Sequence, residues 1–327
     1  MSAPSVRRIA KLPFTGNIGY GGILMTIPYG SDYILVAYNG IYTVGSSGTA
    51  LLFPTRDLGS PTISFAKYMY PYKLLFSFII PDYTYGLAIL DLNTLQIQYK
   101  TFTAQEPTYG YYLVPISDTD WILYTYDSVY YVSLDGTMDK LPITFEYAPD
   151  VSITKYIVTV DYDQGENPYY TLYELDYKSG TLIKVMDIPR GLDLVNATAA
   201  CTVTPSTGPQ FCDQSAAFTL VDTNKQRYLM YYDIDTSSFD IISLGVMDTP
   251  AFILTPPFRH FKYRNIFVVN KYIIDVNAKR VYDVYDLINK QSPLDPNDVA
   301  EDYTMSVVQN PDSFQVAFLA FSQPPIA

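Results

Sequence analysis

Hydrophobic and polar residues alternate along most of this chain with a period of two. Six segments repeat one order, which is an alternating strand, a short turn and a second alternating strand. An apolar residue at every second position is typical of a strand with one buried face, and the turns carry the Gly, Asn, Asp and Ser that hairpins require. The six hairpins occupy residues 40–53, 86–102, 129–145, 171–188, 228–244 and 271–287.

The hairpins recur at similar intervals of roughly 40 to 58 residues, close to the length of about 40 to 50 residues expected of one four-stranded blade. Two further candidate strands precede the hairpins, as at 63–70 and 73–80 in the second unit. Four strands per repeat in a meander predict an all-β chain folded as a β-propeller. A large β-sandwich is the alternative, but a sandwich does not require nearly equal spacing. The turns centre near Ser47, Asn93, Asp135, Ser179, Ser237 and Asn277.

Both ends of the chain carry strands that lack a full unit, one at 6–14 and two within 304–321. Because an open ring would leave strand edges unpaired, we predict that the first strand joins the last two and closes the ring. The chain is then one domain, 1–327, with seven blades, six full and one composite. Six blades with an appended strand pair is the alternative. The predicted blades span about 16–54, 60–103, 108–146, 150–188, 192–245, 250–287, and 303–321 with 6–14.

The composition agrees with many strands and turns. Tyr, which favours strands, occupies 33 of the 327 positions. Only five of the 33 acidic residues are Glu. Because Asp hydrogen-bonds its own backbone in turns whereas Glu suits helices, this skew predicts many turns and few helices.

Charge and hydropathy limit the partners and the location. The net charge is −12 and long basic runs are absent, which argues against nucleic acid as a partner. No apolar run of about 20 residues predicts a membrane-spanning helix. No apolar segment follows Arg7 and Arg8, so the start of the chain does not resemble a secretory signal. We expect an intracellular protein, or one that leaves the cell within a particle such as a virion.

The turn of each hairpin resembles the YVTN family of propeller repeats, which occurs in archaeal surface-layer proteins. In that family a strand of the type I-x-V-I-D precedes a turn and a Thr or Gly. Residues 90–94, LDLNT, and 274–277, IDVN, match this piece. The first half of the family repeat is missing, so the similarity covers about a third of each unit. The resemblance implies a propeller and no particular activity.

Acidic or amide residues recur where the second strand of each unit ends. The turn after that strand lies on the same face of a blade as the connection to the next blade, so a ring of blades would collect these side chains around one mouth. Turn chemistry alone explains Asp at such positions. The functional interpretations are a cation site and a docking surface for a basic partner. The predicted acidic face comprises Asp82, Asp127, Asp163 and Asp222, with Asn39 and Asn270 at the equivalent positions of the first and sixth units.

Cys201 and Cys212 flank a turn-rich excursion at 204–211. A disulfide that closes this loop would stabilise the fold by about 3 kcal/mol in the chain-entropy account, and two free buried thiols are the alternative. His260 is the only histidine, so a His-rich zinc site is not available and any His-based triad would have to use this one residue. A residue at a strand end beside a turn is one interpretation of His260, and a proton-transfer group over a pocket is the other. The sequence predicts no catalytic residue and no cofactor, and it leaves a metal site open.

Two functions follow from these patterns. The first is a non-enzymatic structural or interaction propeller, since Tyr is enriched where proteins bind proteins. Low charge, abundant Tyr and Ile, and few Glu and His also resemble virion and surface proteins of viruses of hyperthermophilic, acidophilic archaea. That resemblance implies a component of a thermophilic virion or surface assembly, with the excursion at 204–211 as a contact loop. The alternative is a propeller hydrolase or lyase that acts on sugars or lactones through Asp carboxylates.

Overall fold

Among the described residues, every regular element of three or more residues is a β-strand. The structure, a computed structural model, describes residues 6–14, 23–54, 58–69, 72–81, 84–103, 112–125, 128–143, 151–153, 156–203, 215–233, 236–247, 258–260, 266–269, 272–283, 286–287, 303–309 and 314–321. Within these ranges no helix is long and apolar enough to cross a membrane.

The strands follow one another through successive sheets. The first strand is β1 (Val6–Phe14). Blade one contains β2 (Ile23–Tyr29), β3 (Asp32–Ala37), β4 (Gly40–Gly45) and β5 (Gly48–Phe53). Blade two contains β6 (Thr62–Met69), β7 (Lys73–Ile80), β8 (Thr84–Asp91) and β9 (Gln96–Thr103). Blade three contains β10 (Tyr112–Pro115), β11 (Asp120–Tyr124), β12 (Val129–Ser133) and β13 (Met138–Lys140).

The second half of the chain continues in the same way. Blade four contains β14 (Val151–Ile153), β15 (Tyr156–Tyr162), β16 (Pro168–Asp176) and β17 (Thr181–Asp187). Blade five contains β18 (Asp193–Val203), β19 (Ser215–Val221), β20 (Gln226–Asp233) and β21 (Ser238–Val246). β22 (Phe258–His260) precedes blade six, which contains β23 (Ile266–Val269), β24 (Tyr272–Asp275) and β25 (Arg280–Asp283). The last strands are β26 (Tyr303–Gln309) and β27 (Phe314–Phe321).

Neighbouring strands within each blade pair in chain order and antiparallel, as in a meander. β22 differs, because it pairs in parallel with the end of β18, at Cys201–Val203. This repeated meander is the blade of a β-propeller. The fold predicted from the spacing of the hairpins, an all-β propeller, is therefore confirmed. The described strands form six blades, which was the alternative to the predicted seven, and one further three-stranded sheet.

The core lies between consecutive blades, because each sheet packs its apolar side chains against the next sheet. Phe53 of blade one packs at 4.9 Å against Phe76 and at 5.0 Å against Phe78 of blade two, measured between ring centroids. Corresponding clusters join blades two and three, three and four, four and five, and five and six. Complete burial of a Phe side chain stabilises a fold by about 1.5–3 kcal/mol, so these clusters hold the blades in sequence.

The first and last strands of the chain share a sheet, which we call the closing sheet. Its order is β1–β27–β26. β1 pairs in parallel with β27, from Val6 opposite Phe314 to Phe14 opposite Phe321, while β26 and β27 pair antiparallel. β26 contacts β2, and β1 contacts β4 and β5. The N-terminal strand thus pairs where the sequence predicts, and the closing sheet lies against blade one.

Candidate functional site

The described members of the predicted acidic face are Asp163 in blade four and Asp222 in blade five, each in the turn between the second and third strands. Asn39 lies in the matching turn of blade one. Asp82, Asp127 and Asn270 lie outside the described residues. The prediction of an acidic ring can therefore be examined at two adjacent blades.

Asp163 holds its turn together through its carboxylate. Its Oδ1 accepts hydrogen bonds from the backbone N–H of Gly165 at 2.8 Å and of Asn167 at 3.0 Å. The Asn167 side-chain amide donates to the same oxygen at 3.2 Å. The turn places Glu166 in the left-handed region, at φ 60°. These contacts are the side chain-to-backbone bonds that favour Asp in turns.

Asp222 repeats this geometry in the next blade. Its Oδ1 accepts from the backbone N–H of Asn224 at 2.8 Å and of Gln226 at 2.9 Å, and Lys225 takes the left-handed conformation at φ 61°. The hydroxyl of Tyr228 donates to the other carboxylate oxygen at 3.3 Å. Two successive blades thus build the same turn around an Asp, which supports turn chemistry as the reason for Asp at these positions.

Asp163 also belongs to a group of polar side chains that we call the blade-four cluster. Arg190, in the connection between blades four and five, places Nη1 at 3.9 Å from Asp163 Oδ2. Its guanidinium carbon lies 4.9 Å from the centroid of the Tyr169 ring. The Tyr169 hydroxyl donates to Asp161 at 2.7 Å, and Asp187 accepts from Thr171 at 2.9 Å. The blade-four cluster comprises Asp161, Asp163, Tyr169, Thr171, Lys184, Asp187 and Arg190.

The carboxylates of the blade-four cluster stay ionised to lower pH than an ordinary Asp. The hydrogen bond from Tyr169 lowers the pKa of Asp161, and the backbone N–H groups of the turn lower that of Asp163. The Lys184 ammonium, at 2.8 Å, lowers the pKa of Asp187. Hydrogen bonds to the charged form cause all three shifts. These carboxylates suit charge pairing and hydrogen-bond acceptance, whereas a general acid requires a raised pKa.

Sequence reasoning missed Tyr169 and Arg190 as members of the cluster. It did predict that the second turn of a blade and the connection to the next blade share a face, and the contact between Arg190 and Asp163 confirms this for blade four. A basic residue in the connection between blades four and five could therefore have indicated that Arg190 lies near Asp163. The Tyr169 contact was harder to find, because it depends on how β15 and β16 are registered.

A second set of Asp residues caps the turns that precede the last strand of a blade. The Oδ1 of Asp91 accepts from the backbone N–H of Asn93 at 2.8 Å and of Thr94 at 3.1 Å, with Leu95 at φ 55°. In four of the described turns the capping Asp is followed, four positions later, by a residue with positive φ, whereas in blade three Asp135 accepts from the backbone N–H of Thr137 and the positive φ belongs to Gly136. The other three such pairs are Asp176 with Gly180, Asp233 with Ser237, and Asp275 with Lys279.

Other predicted features fall partly outside the described residues. Cys212 and the excursion at 204–211 are not among the residues described, and of Cys201 only the backbone pairing with Phe258 is described, so the disulfide stays a prediction. The backbone of His260 pairs with Val203. No group of three or more His, Cys, Asp or Glu side chains that could hold a metal ion occurs within the described part of the chain.

No protein-family model matches the chain, and no curated protein matches it. Solved structures with a similar fold include the β-propeller domain of the trilobed protease from Pyrococcus furiosus, at 11% identity and a TM-score of 0.48, which covers 80% of this chain and 81% of that one. An uncharacterized protein from Listeria monocytogenes EGD-e is 10% identical with a TM-score of 0.42, covering 84% and 97%. Cobalt-substituted apocarotenoid oxygenase from Synechocystis is 10% identical with a TM-score of 0.47, covering 83% and 70%. At these scores none of the three supports an activity for this chain.

Proposed function

We propose that this protein is a non-enzymatic interaction propeller that docks other proteins on its outermost strands, as a structural component of a virion or surface assembly of a thermophilic system. One observation carries the proposal. Most of the large, exposed hydrophobic side chains of the described residues lie on the last, outermost strand of a blade. They are Leu51 on β5, Tyr99 on β9, Ile183 on β17, Phe239 and Val246 on β21, and Val281 on β25.

These side chains are highly exposed, and they lie at the same place in each blade. Leu51 is 54% exposed, Phe239 53% and Val246 69%. The outermost strand of a blade also has one unpaired edge, whose N–H and C=O groups are available to a partner. Apolar side chains beside free backbone groups on a rigid disc are suited to protein contacts. The low charged fraction, 17%, agrees with a surface that packs against other subunits.

The alternative, hydrolysis or lysis of sugars or lactones through Asp carboxylates, receives less support from the two described members of the acidic face. Asp163 and Asp222 each use one oxygen to accept two backbone N–H groups. The pKa of Asp163 is lowered, whereas glycoside hydrolysis needs one carboxyl that holds its proton. These contacts favour a structural role for both residues.

Purification of assembled particles from the native source tests the proposal. We expect the protein at a fixed ratio to another particle protein, with chemical cross-links to that protein mapping near β17 and β21. The paired changes Ile183→Thr and Phe239→Thr should reduce incorporation into particles. Tyr162→Thr is the matched control, since Tyr162 is 52% exposed but lies on the second strand of its blade.

Two results would contradict the proposal. One is equal incorporation of the Ile183→Thr, Phe239→Thr variant and the Tyr162→Thr control. The other is turnover of a glycoside or lactone that is abolished by Asp163→Asn or Asp127→Asn while the fold stays intact. Either result would point away from an assembly role based on the outermost strands.

A further inference from the structure

The outermost strand of blade two, β9, is a long and regular edge strand. It pairs with β8 over all eight of its residues without a register shift. Among the described residues no other strand pairs with it. Because natural edge strands usually carry a bulge, charged side chains or only a short ladder, the edge of β9 is unusually open to a further strand.

The outermost strands of the other blades are protected within the described chain. β5, β17 and β21 belong to ladders with a register shift, and β13 and β25 have three and four described residues. Because the net charge of the chain is −12, a carboxylate on such a strand also opposes pairing with a second copy. Four of these strands carry one, at Asp139, Asp187, Asp240 and Asp283.

The strand β9 carries no carboxylate, and its one charged residue is Lys100. The Lys100 side chain extends to the turn between the last two strands of blade three. A Cβ added at Gly136 in that turn would lie 3.1 Å from Lys100 Cε and 3.3 Å from Nζ. The edge of β9 thus lacks the acidic charge that would repel another copy of this acidic chain.

Tyr99, near the middle of β9, provides an exposed aromatic surface at this edge. Its ring packs edge to face against Phe78, with 6.2 Å between the centroids, yet the residue stays 40% exposed. Phe78 is fully buried in the cluster between blades one and two, so Tyr99 is held on that side of the sheet. A ring held in this way can pack against a ring from another chain.

Strand geometry leaves one favourable register for two copies of β9. Directly opposite residues of an antiparallel pair share a face of the sheet, so a symmetric pair places one residue opposite its own copy. Near the middle of β9 that residue is Tyr99 or Lys100. Two opposed Lys100 side chains would repel each other. With Tyr99 on the axis, Lys100 lies opposite Gln98 of the second copy, and Ile97 lies opposite Thr101.

We propose that β9 is a self-association site, at which two copies of the chain pair antiparallel about a twofold axis at Tyr99. The two four-stranded sheets of blade two then form one continuous sheet, and both copies use the same surface, as in most homodimers. The inference rests on the proposed use of outermost strands for docking. It names a second copy as the occupant of β9 and requires no other protein.

Sedimentation velocity of the purified chain over a range of concentrations tests the proposal. Because one strand pair is a small interface, we expect a reversible monomer–dimer equilibrium with a dissociation constant of about 10–100 µM. Tyr99→Lys places two ammonium groups on the twofold axis and should weaken the dimer roughly tenfold. Tyr162→Lys is the matched control, since Tyr162 is 52% exposed on the second strand of its blade. Circular dichroism shows whether both variants stay folded.

Cysteine cross-linking tests the register. Opposite Cα atoms in such a pair lie about 4.5–5.5 Å apart, within disulfide range, whereas diagonal neighbours lie about 7–8 Å apart. Tyr99→Cys should therefore give a covalent dimer on mild oxidation. Gln98→Cys alone and Lys100→Cys alone should not, but a mixture of these two variants should. The parent chain, with its native Cys201 and Cys212, is the control for other disulfides.

Three results would overturn the proposal. One is a chain that stays monomeric up to about 1 mM, and another is equal weakening of the dimer by Tyr99→Lys and Tyr162→Lys. The third is a covalent dimer from Gln98→Cys alone. These measurements use the purified chain, so they succeed or fail independently of the incorporation of the Ile183→Thr, Phe239→Thr variant into particles.

Discussion

At the residue scale, an Asp carboxylate accepts backbone hydrogen bonds in the same turn of two successive blades. The contribution of these hydrogen bonds to stability can be tested at Asp222. Asp222→Ala removes the acceptor of two backbone N–H groups and should lower the free energy of unfolding by about 1 kcal/mol. Asp222→Asn keeps an acceptor oxygen and should preserve most of that stability. Chemical denaturation of the two variants measures the difference. Equal losses in both would show that the charge, rather than hydrogen bonding in the turn, is what matters.

Positive φ values at the turns give a second prediction at this scale. Glu166 is exposed and has φ 60°, which costs a residue with a side chain about 1–2 kcal/mol. Part of this is offset by the greater unfolded-state entropy of glycine, so Glu166→Gly should stabilise the protein by about 0.5–1 kcal/mol. Thermal unfolding and denaturant unfolding should both show that the Glu166→Gly variant is more stable than the parent protein.

Gly180 gives the opposite test, because here a glycine already occupies the position with positive φ. It has φ 66°, and an added Cβ would lie 2.6 Å from Pro142 Cδ. Gly180→Ala should therefore destabilise by about 1–2 kcal/mol. A neutral effect of Gly180→Ala together with a destabilising Glu166→Gly would contradict the account of both turns.

The sequence predicts which residues occupy the turns better than it predicts their structural roles. Asp163 and Asp222 were found because Asp follows an alternating strand, and turn chemistry was one of the two interpretations. The left-handed conformation of Leu95 was not predictable, since a Leu rarely adopts it. It depends on the cap that Asp91 provides and on the packing of Leu95 against the cluster between blades one and two.

At the element scale, the hairpin of blade two depends on one small residue. Gly86 on β8 lies opposite Phe78 on β7, and a Cβ at Gly86 would overlap the Phe78 ring. Phe78 is fully buried and packs against Phe53, so it cannot move freely. Gly86→Ala should cost about 1–3 kcal/mol.

The same change in a Phe78→Leu background is the control. A smaller side chain at position 78 leaves room for the Cβ, so Gly86→Ala should cost clearly less there, as measured by a double-mutant cycle. An equal cost in both backgrounds would mean that the backbone of β8, rather than contact with the ring, requires glycine.

Hairpins are the elements that the sequence predicts best. Residues 86–102 were expected to form one, and β8 and β9 span Thr84–Asp91 and Gln96–Thr103. Local alternation and a turn suffice for this prediction. The parallel pairing of β22 with β18 was not predictable, because neither a three-residue strand nor the direction of its pairing has a local signal.

At the scale of the whole molecule, the pKa shifts predict how acid affects stability. The pKa values of Asp135, Asp161, Asp163, Asp176 and Asp187 are lowered from 3.8. The unfolded chain therefore binds these protons at higher pH than the folded one. Their stabilising contribution is complete above the unfolded value and is lost as the pH falls through the lowered folded values.

We accordingly expect the free energy of unfolding to be nearly constant between about pH 7 and 5 and to fall below about pH 4. The double change Asp161→Asn, Asp187→Asn should flatten that fall, as measured by denaturant unfolding across pH. A fall that begins near pH 6 would point to groups other than these carboxylates. The fold should therefore keep its full stability only in the pH range in which these Asp residues stay ionised.

The closing sheet joins the first strand of the chain to the last two. β1 supplies one edge of that sheet, pairs with β27 over Val6–Phe14 and also contacts β4 and β5. Without β1, the edge of β27 would be unpaired, and blade one would lose one of its contacts with the end of the chain. β1 therefore contributes both to the hydrogen-bonded ladder with β27 and to the packing against blade one.

Deletion of residues 1–14 should lower the melting temperature by several degrees or more, since loss of about 1 kcal/mol shifts the midpoint of a chain of 150–250 residues by about 2–4 °C. Deletion of residues 1–5 alone, which leaves β1 intact, is the matched control. Ile9→Pro tests the ladder without shortening the chain, because proline has no backbone N–H to donate. Calorimetry of the three variants should rank the 1–14 deletion as least stable, Ile9→Pro as intermediate and the 1–5 deletion as nearest to the parent. An unchanged midpoint after removal of β1 would mean that pairing between the ends contributes little to the stability of the ring, and that the interblade clusters alone keep the blades together.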